Sequence, residues 1–546
     1  MSHPNPSTAL ARVVIDELSA DGVGFLAIAP GSRSAALAAA ADQHPDIETR
    51  VFVDERSAAF HSLGVARASG RPAGVIATSG TAPANFMPAV VEADMSCVPL
   101  VVVSADRPAE LQGVGANQTI DQVELFGFKV RAYSGIEAAR ADLEGNEDWR
   151  TTVRSLVAKA TGTKPGPVHL NVAFREPTVP VSDDGRTQGD LYPFPTPRLG
   201  TELSIEDALE EMSFPDVDAA RGIVIAGDGD YGRAGLLDAA RVLGWPVLAT
   251  ALSGLRGQGV VARYHALLAE GVPQTLTPAT VVAIGAIGPD PVLERLVAEA
   301  AVRVRIDAWG RTIDPGRNAT HVIEGDAVRL LGGIKGAAAQ TWRDDWLDRD
   351  REIGDMVEAD LAEERSLSGA VIARTLDRID WGALVVGSSL PIREVDAHLT
   401  RSGLVFANRG ASGIDGFVST ALGVAAVIPG TVAFCGDLSF LHDSNGFLND
   451  GSIDLTVVVA DNHGGGLFDS LPQARHAPSY ERLFITDPER DLASLALFHG
   501  ANAVVVDSYE SLMEAVERGL GRPNVDVVLA RVDRVHDLEV RSRSYL

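Results

Sequence analysis

Thr431 to Phe468 of the 546-residue chain read TVAFCGDLSFLHDSNGFLNDGSIDLTVVVADNHGGGLF. Val432 to Cys435 is a short apolar run ending at Gly436-Asp437. Leu438 to Leu448 can carry a helix, and Asp454 to Ala460 is a β-branched run suited to a buried parallel strand. A right-handed crossover of this kind places both strand ends on the same carboxyl edge of one sheet. Asp437 and Asn462, 25 residues apart, then share that edge and are followed by Gly464-Gly465-Gly466. An acid, an amide and the Gly464 carbonyl are oxygen donors suited to a hard cation such as Mg²⁺, whose near-octahedral shell a diphosphate can complete. The helix after Gly436 offers its free N–H groups to the same anion.

The rest of the chain sets limits on partners. A length of 546 residues predicts three or four domains, and 46% hydrophobic with 22% charged residues is the composition of a globular protein. The net charge of −27 excludes nucleic acid and anionic membranes as expected partners, since both need a basic surface. Lysine occurs only at Lys129, Lys159, Lys164 and Lys335, so an anionic substrate has to be met by arginines. Cys97 and Cys435, both in apolar surroundings, are too few for a disulfide framework. There is no recognisable signal peptide and no run suited to spanning a membrane, which leads to the expectation of a cytoplasmic protein.

From the N-terminus, Ser7 is expected to cap a helix, after which strand-like runs alternate with Ala-rich helical ones. Gly24 to Ala29 leads into Pro30-Gly31-Ser32-Arg33-Ser34, Arg50 to Asp54 into Glu55, Ala73 to Thr78 into Ser79-Gly80-Thr81, and Val98 to Ala105 into Asp106-Arg107-Pro108. Such alternation predicts α/β architecture with doubly wound parallel sheets and ligand residues at the strand C-termini. Glu176 to Gly200 reads as a linker, and a charged helix near Trp342 to Arg365 bridges to a third segment. The expected domains are 1–185, 200–340 and 360–546. Gly227-Asp-Gly229-Asp-Tyr-Gly232 formally matches a dinucleotide fingerprint. The next strand, Trp245 to Leu248, ends without the acid that would bind a ribose, so a tight glycine turn is the better reading.

Gly436-Asp437 followed by Asn462 resembles the metal and diphosphate motif of thiamine-diphosphate enzymes. Seven runs, the last extending Gly436-Asp437, narrow the resemblance: PGSRS at 30–34, DERSA at 54–58, TSGTA at 78–82, SADRPAEL at 104–111, GANQT at 115–119, NRGASGIDG at 408–416 and GDLSFLHDSNG at 436–446. Together they are similar to the family of 2-succinyl-5-enolpyruvyl-6-hydroxy-3-cyclohexene-1-carboxylate synthases of menaquinone biosynthesis. The resemblance covers the first and third domains and is weak in the middle one. It implies three thiamine-diphosphate-fold domains (pyrimidine-binding, middle and diphosphate-binding) and a cofactor held with Mg²⁺, or alternatively Mn²⁺. The reaction it implies is decarboxylation of 2-oxoglutarate and addition of the remaining succinyl carbanion to isochorismate.

The same resemblance assigns roles by position. Glu55 is the carboxyl that hydrogen-bonds the cofactor's aminopyrimidine, with Val51, Phe52 and Val53 expected to shield it. Ile414 is the wedge that bends the cofactor, and Ser389, Leu390, Gly436, Asp437, Leu438, Ser439 and Asn462 hold it. Leu467, Phe468 and Leu471 wall the reactive carbon. Ser32, Arg33, Arg107, Asn117 and Gln118 face isochorismate, while Ser389, Arg393 and Arg409 face the succinyl carboxylate. A basic pair contributed by the family's middle domain has its nearest counterpart in Glu294-Arg295, so only Arg295 is retained. The resemblance also implies a homodimer or homotetramer with sites between subunits. Two rivals remain at this stage: a thiamine-diphosphate lyase for another 2-oxoacid such as pyruvate, and a non-catalytic nucleotide-binding protein.

Overall fold

The computed structural model describes residues 5–140, 146–178, 214–215, 217–288, 290–448, 452–476, 478–487 and 489–544. The expected boundaries at 185 and 200, and most of the linker between them, lie outside those residues.

Three sheets form, all with parallel pairing. In the first, the strands stand in the order Glu48–Val51, Phe25–Ile28, Ala73–Ala77, Leu100–Asp106, Val168–Ala173, Tyr133–Ile136. The third repeats that order with Leu404–Phe406, Ala383–Val386, Thr431–Gly436, Leu455–Asp461, Val525–Arg531, Asn502–Val506. The middle sheet has five strands: His321–Glu324, Val302–Asp307, Thr280–Ile284, Gly222–Ala226, Val247–Ala249. Central strands such as Leu100–Asp106 and Thr431–Gly436 are buried on both faces, which is why they read as unbroken apolar runs.

This order creates one crevice per outer domain. Successive crossovers leave in opposite directions between Phe25–Ile28 and Ala73–Ala77, and again between Ala383–Val386 and Thr431–Gly436. Ligands of open α/β sheets bind at such switch points, beyond the strand C-termini. The loops meet there at close range, since a Cβ on Gly31 would fall 2.3 Å from Thr78 Cβ.

Several local expectations are corrected. The first helix, Pro6–Ala20, is capped by Asn5, whose side chain accepts the Ser7 and Thr8 N–H groups; Ser7 lies inside the first turn and donates to the Arg175 carbonyl at 2.8 Å. The helix expected over 438–448 stops early, as Asp437–His442, and continues as a 3-10 turn over Ser444–Phe447. The charged helix spans Gln340–Ala362. Among the described residues no helix is long and apolar enough to cross a membrane.

Candidate active site

At the third domain's switch point, Gly436 pairs in register with Ala460, so Asp437 and Asp461-Asn462 leave neighbouring strands side by side. Asp437 is buried. Its carboxylate accepts the Leu438 and Gly464 N–H groups, each at 2.7 Å, and burial pushes its pKa up against the pull of those bonds. Among the described residues no basic side chain pairs with it. A buried carboxylate without a cationic partner is costly, and either a proton or a bound metal ion removes that cost. A Cβ on Gly436 would meet nothing within 4 Å, which leaves room above the turn. Gly464, at φ 109°, is required as glycine because a Cβ there would fall 2.0 Å from the Ile485 carbonyl. Its carbonyl accepts the Gly466 N–H at 2.6 Å and keeps one lone pair. These residues fit a cation and a diphosphate.

Across the crevice, Ser389 adopts φ 77° and ψ −126° before the helix Leu390–His398. Gly80 makes the same turn, φ 86° and ψ −133°, in the first domain. That backbone is natural for glycine and strained for serine, as is common where a site needs a side chain at a tight turn. Leu390 is buried, whereas Ile414 is 39% exposed, a bare aliphatic where an apolar wedge is expected.

Glu55 opens the helix Glu55–Ser69, which Asp54 caps through the Arg56 and Ser57 N–H groups. That helix packs on Phe417–Val427 of the third domain so closely that a Cβ on Gly64 would lie 2.2 Å from the Thr420 carbonyl. Gly416, at φ 68°, sits against the Phe60 ring and would tolerate no side chain, so the loop bearing Ile414 rests on the helix that Glu55 begins. Half-buried Glu55 lacks the expected apolar shield within its own chain: Phe52 is buried, but Val51 and Val53 are 60% and 77% exposed.

The arginines form two pairs. Arg107 donates to the Gln118 carbonyl at 2.6 Å and to the Ser79 hydroxyl, and its pKa is lowered by burial and by the charge of Arg33. Buried Arg33 donates to the Phe174 carbonyl at 2.8 Å and lies 3.2 Å from Glu176. Gln118, at φ 54°, returns a bond to the Ser79 carbonyl at 3.0 Å. In the third domain Arg409 reaches the Ser388 hydroxyl at 3.3 Å, and burial and the charge of Arg393 lower its pKa. Arg393 itself is exposed and donates to the Ser389 carbonyl. Paired guanidinium groups repel one another, and an incoming carboxylate relieves that repulsion.

Other expected residues are placed less tightly. Ser32 and Asn117 are exposed. Leu467 and Leu471 are half-buried, and the Phe468 and Phe484 rings meet tilted, with centroids 5.4 Å apart. Asn462 lines a cleft of about 640 Å³ with Arg534, Glu481 and Asp487, a space that does not include Asp437. Arg295 is not brought to the other arginines by any bond seen here: it donates to the Leu268 carbonyl at 2.5 Å, and Glu294 neutralises buried Arg305 at 2.9 Å. The Gly227–Gly232 turn is explained by packing, since a Cβ on Gly227 would strike the Ala286 carbonyl at 2.3 Å. One group of metal-capable side chains, His265, Asp290 and Asp396, has ligand atoms within 4.8 Å of one another. Its oxygens are already engaged, Asp396 by Arg256 at 2.9 Å and by Tyr264, and Asp290 by His265 at 2.6 Å.

Sequence reasoning missed the supports behind these residues. Asp106 is tied to Asn171 at 2.8 Å, and Asn171 to Gln122 at 2.9 Å and Ser104 at 2.7 Å, a buried network that fixes the strand end bearing Arg107. Glu92, 2% exposed, accepts the Gly410 and Ala411 N–H groups at 2.9 and 2.7 Å. An acid on the buried face of the Ala- and Val-rich helix Met87–Ser96 was the available signal.

The model for the N-terminal TPP-binding domain of thiamine pyrophosphate enzymes matches residues 8–125, and that for the C-terminal TPP-binding domain matches residues 398–529. Twin switch-point crevices with these two domains define a thiamine-diphosphate enzyme. Similar over nearly the whole chain are 2-succinyl-5-enolpyruvyl-6-hydroxy-3-cyclohexene-1-carboxylate synthases of three organisms. That of Thermobifida fusca is 40% identical over 88% of this chain and 88% of its own. That of Saccharopolyspora erythraea is 38% identical over 99% and 98%, and that of Halobacterium salinarum 36% over 98% and 97%. The chain belongs to the 2-succinyl-5-enolpyruvyl-6-hydroxy-3-cyclohexene-1-carboxylate synthase family.

Proposed function

We propose that this thiamine-diphosphate-dependent synthase of menaquinone biosynthesis divides its substrates between the two arginine pairs. Arg393 and Arg409, beside Ser389, hold the distal carboxylate of 2-oxoglutarate. Arg33 and Arg107, with Ser32, Asn117 and Gln118, hold the carboxylates of isochorismate. The observation that carries this reading is the placing of half-buried Arg409 on the Ser388 hydroxyl beside Arg393, whose charge together with burial lowers the Arg409 pKa, with no carboxylate of the chain bonded to either among the described residues.

Asp437, Asn462 and the Gly464 carbonyl hold Mg²⁺ or Mn²⁺, and the metal with Gly436, Leu438 and Ser439 holds the diphosphate. The cofactor supplies a nucleophilic carbon and a sink for the electrons released with CO₂. Glu55 would hold a proton toward the cofactor's pyrimidine ring, and Ile414 would pack against the cofactor. Leu390 contacts the cofactor, and Leu467, Phe468 and Leu471 exclude water, which favours loss of a charged carboxylate. Leaving with CO₂ are the atoms of the 2-oxoglutarate C1 carboxylate; the four-carbon remainder bonds to the isochorismate ring. The exposed Val51 and Val53 beside Glu55 support assembly as a homodimer or homotetramer, in which a second subunit would complete the shield.

The test is the mass of the product formed from 2-oxoglutarate and isochorismate with and without thiamine diphosphate and Mg²⁺. The proposal expects one adduct bearing the succinyl group, formed only with cofactor. Formation of free aldehyde alone would favour a lyase acting on 2-oxoacids.

A further inference from the structure

Glu92 is a buried acid that the reaction does not use. Its Oε1 accepts the Gly410 N–H at 2.9 Å and the Ser96 hydroxyl at 2.7 Å, and its Oε2 accepts the Ala411 N–H at 2.7 Å. Arg67 lies 3.7 Å from Oε1, donates to the Ala407 carbonyl, and stands 3.4 Å from Asp228 of the middle domain. The third-domain loop is therefore gripped at Ala407 by one side chain of the first domain and at Gly410-Ala411 by another. Only Asn408 and Arg409 lie between, and Asn408 is tied to the Thr420 hydroxyl at 2.9 Å. Gly410 is obligatory in this grip: a Cβ there would sit 2.6 Å from Ser96 Oγ and 2.8 Å from Met95 Cβ.

From this we infer that Glu92 is a positioning residue for Arg409, with Arg67 as its counter-ion and the link to the middle domain. A packed apolar side chain would join the domains as firmly, because burying an ion pair is a poor way to gain stability. A carboxylate, unlike an amide, offers a separate acceptor oxygen to each of two adjacent backbone N–H groups, and that fixes the direction of the loop as well as its position. The middle domain thus acts on the site through Asp228 and Arg67, although Arg295 lies elsewhere. The inference rests on the reading that Arg409 holds the distal carboxylate.

The experiment uses the full chain with thiamine diphosphate and Mg²⁺. It compares kcat/KM for 2-oxoglutarate with that for 2-oxopentanoate, which has the same chain length and no distal carboxylate. In Glu92→Gln the amide has one acceptor, so one loop N–H faces an NH₂ group. The preference for 2-oxoglutarate should fall roughly tenfold or more, mainly through KM, the usual consequence of leaving a buried charged bond unmade. Use of 2-oxopentanoate should change little, and amide exchange should quicken at Gly410 and Ala411. Equal losses on both oxoacids would reduce Glu92 to a domain-joining residue and overturn the inference. Arg409→Ala separates the two readings: an unchanged preference there removes Arg409 from substrate binding, and unchanged amide protection in Glu92→Gln then removes the positioning role as well. Should Glu92→Gln not fold, Ser96→Ala should move the preference and the exchange in the same direction by a smaller factor, and no movement in either would overturn the inference.

Discussion

Asp443 lies 3.6 Å from the Arg56 guanidinium with one oxygen and accepts the Ser419 N–H at 2.8 Å with the other. One carboxylate thus caps the helix Phe417–Val427 and ties it to the residue after Glu55. Burial pushes its pKa to about 6, above the usual carboxylate range. Between about pH 4 and 6 the folded chain keeps a proton on Asp443 that the unfolded chain has released. Stability from this group therefore falls as pH rises through that window, by about 3 kcal/mol. Urea unfolding across the window should show a shallower decline for Asp443→Asn than for the unaltered protein. Equal slopes would show that Asp443 does not hold that proton.

Asp437→Asn should weaken the loaded protein more than the empty one. In the cofactor-free protein it removes a buried charge without a cationic partner but sets an NH₂ group against the Leu438 or Gly464 N–H, so the unfolding temperature should change little. It also removes the proposed charged metal ligand, so thiamine diphosphate should bind roughly 100-fold or more weakly in the presence of Mg²⁺. Calorimetry giving an unchanged affinity would move the metal away from this strand end.

Glu55→Gln should still bind cofactor, since the proposed diphosphate cradle lies in the third domain. Exchange of the cofactor's C2 proton, followed by proton NMR, should slow by roughly 10²–10⁴-fold, the usual worth of a placed acid–base group. Exchange at the unaltered rate would leave Glu55 as a helix-start acid.

What could be read from the sequence was local. The strand pair Thr431–Gly436 and Leu455–Asp461, the glycine turns and the arginines at strand ends all lie within short runs whose chemistry is visible in one dimension. The strands Val302–Asp307 and His321–Glu324 were not read: Arg303 and Arg305 interrupt the first, and the second is a largely exposed edge. Buried Arg305 is neutralised by Glu294 at 2.9 Å with Asp314 at 3.7 Å, a tertiary fact. The helix expected to reach Leu448 leaves helical backbone at Asp443, φ −114° and ψ 27°, whose carboxylate holds the Ser419 N–H of a distant helix. Glu92 meets its loop 318 residues away, and no local pattern reports that.

The central claim is that the Arg393–Arg409 pair selects an oxoacid with a second carboxylate. The most direct measurement is kcat/KM for 2-oxoglutarate and for pyruvate, in the unaltered enzyme and in Arg393→Ala. Truncating one side of a desolvated charge pair costs about 2–5 kcal/mol, and Arg393, exposed before substrate arrives, belongs at the lower end. The unaltered enzyme should prefer 2-oxoglutarate strongly, and Arg393→Ala should lose roughly 30-fold of that preference with pyruvate use little changed. Equal use of pyruvate by the unaltered enzyme, or a preference untouched in Arg393→Ala, would contradict the account.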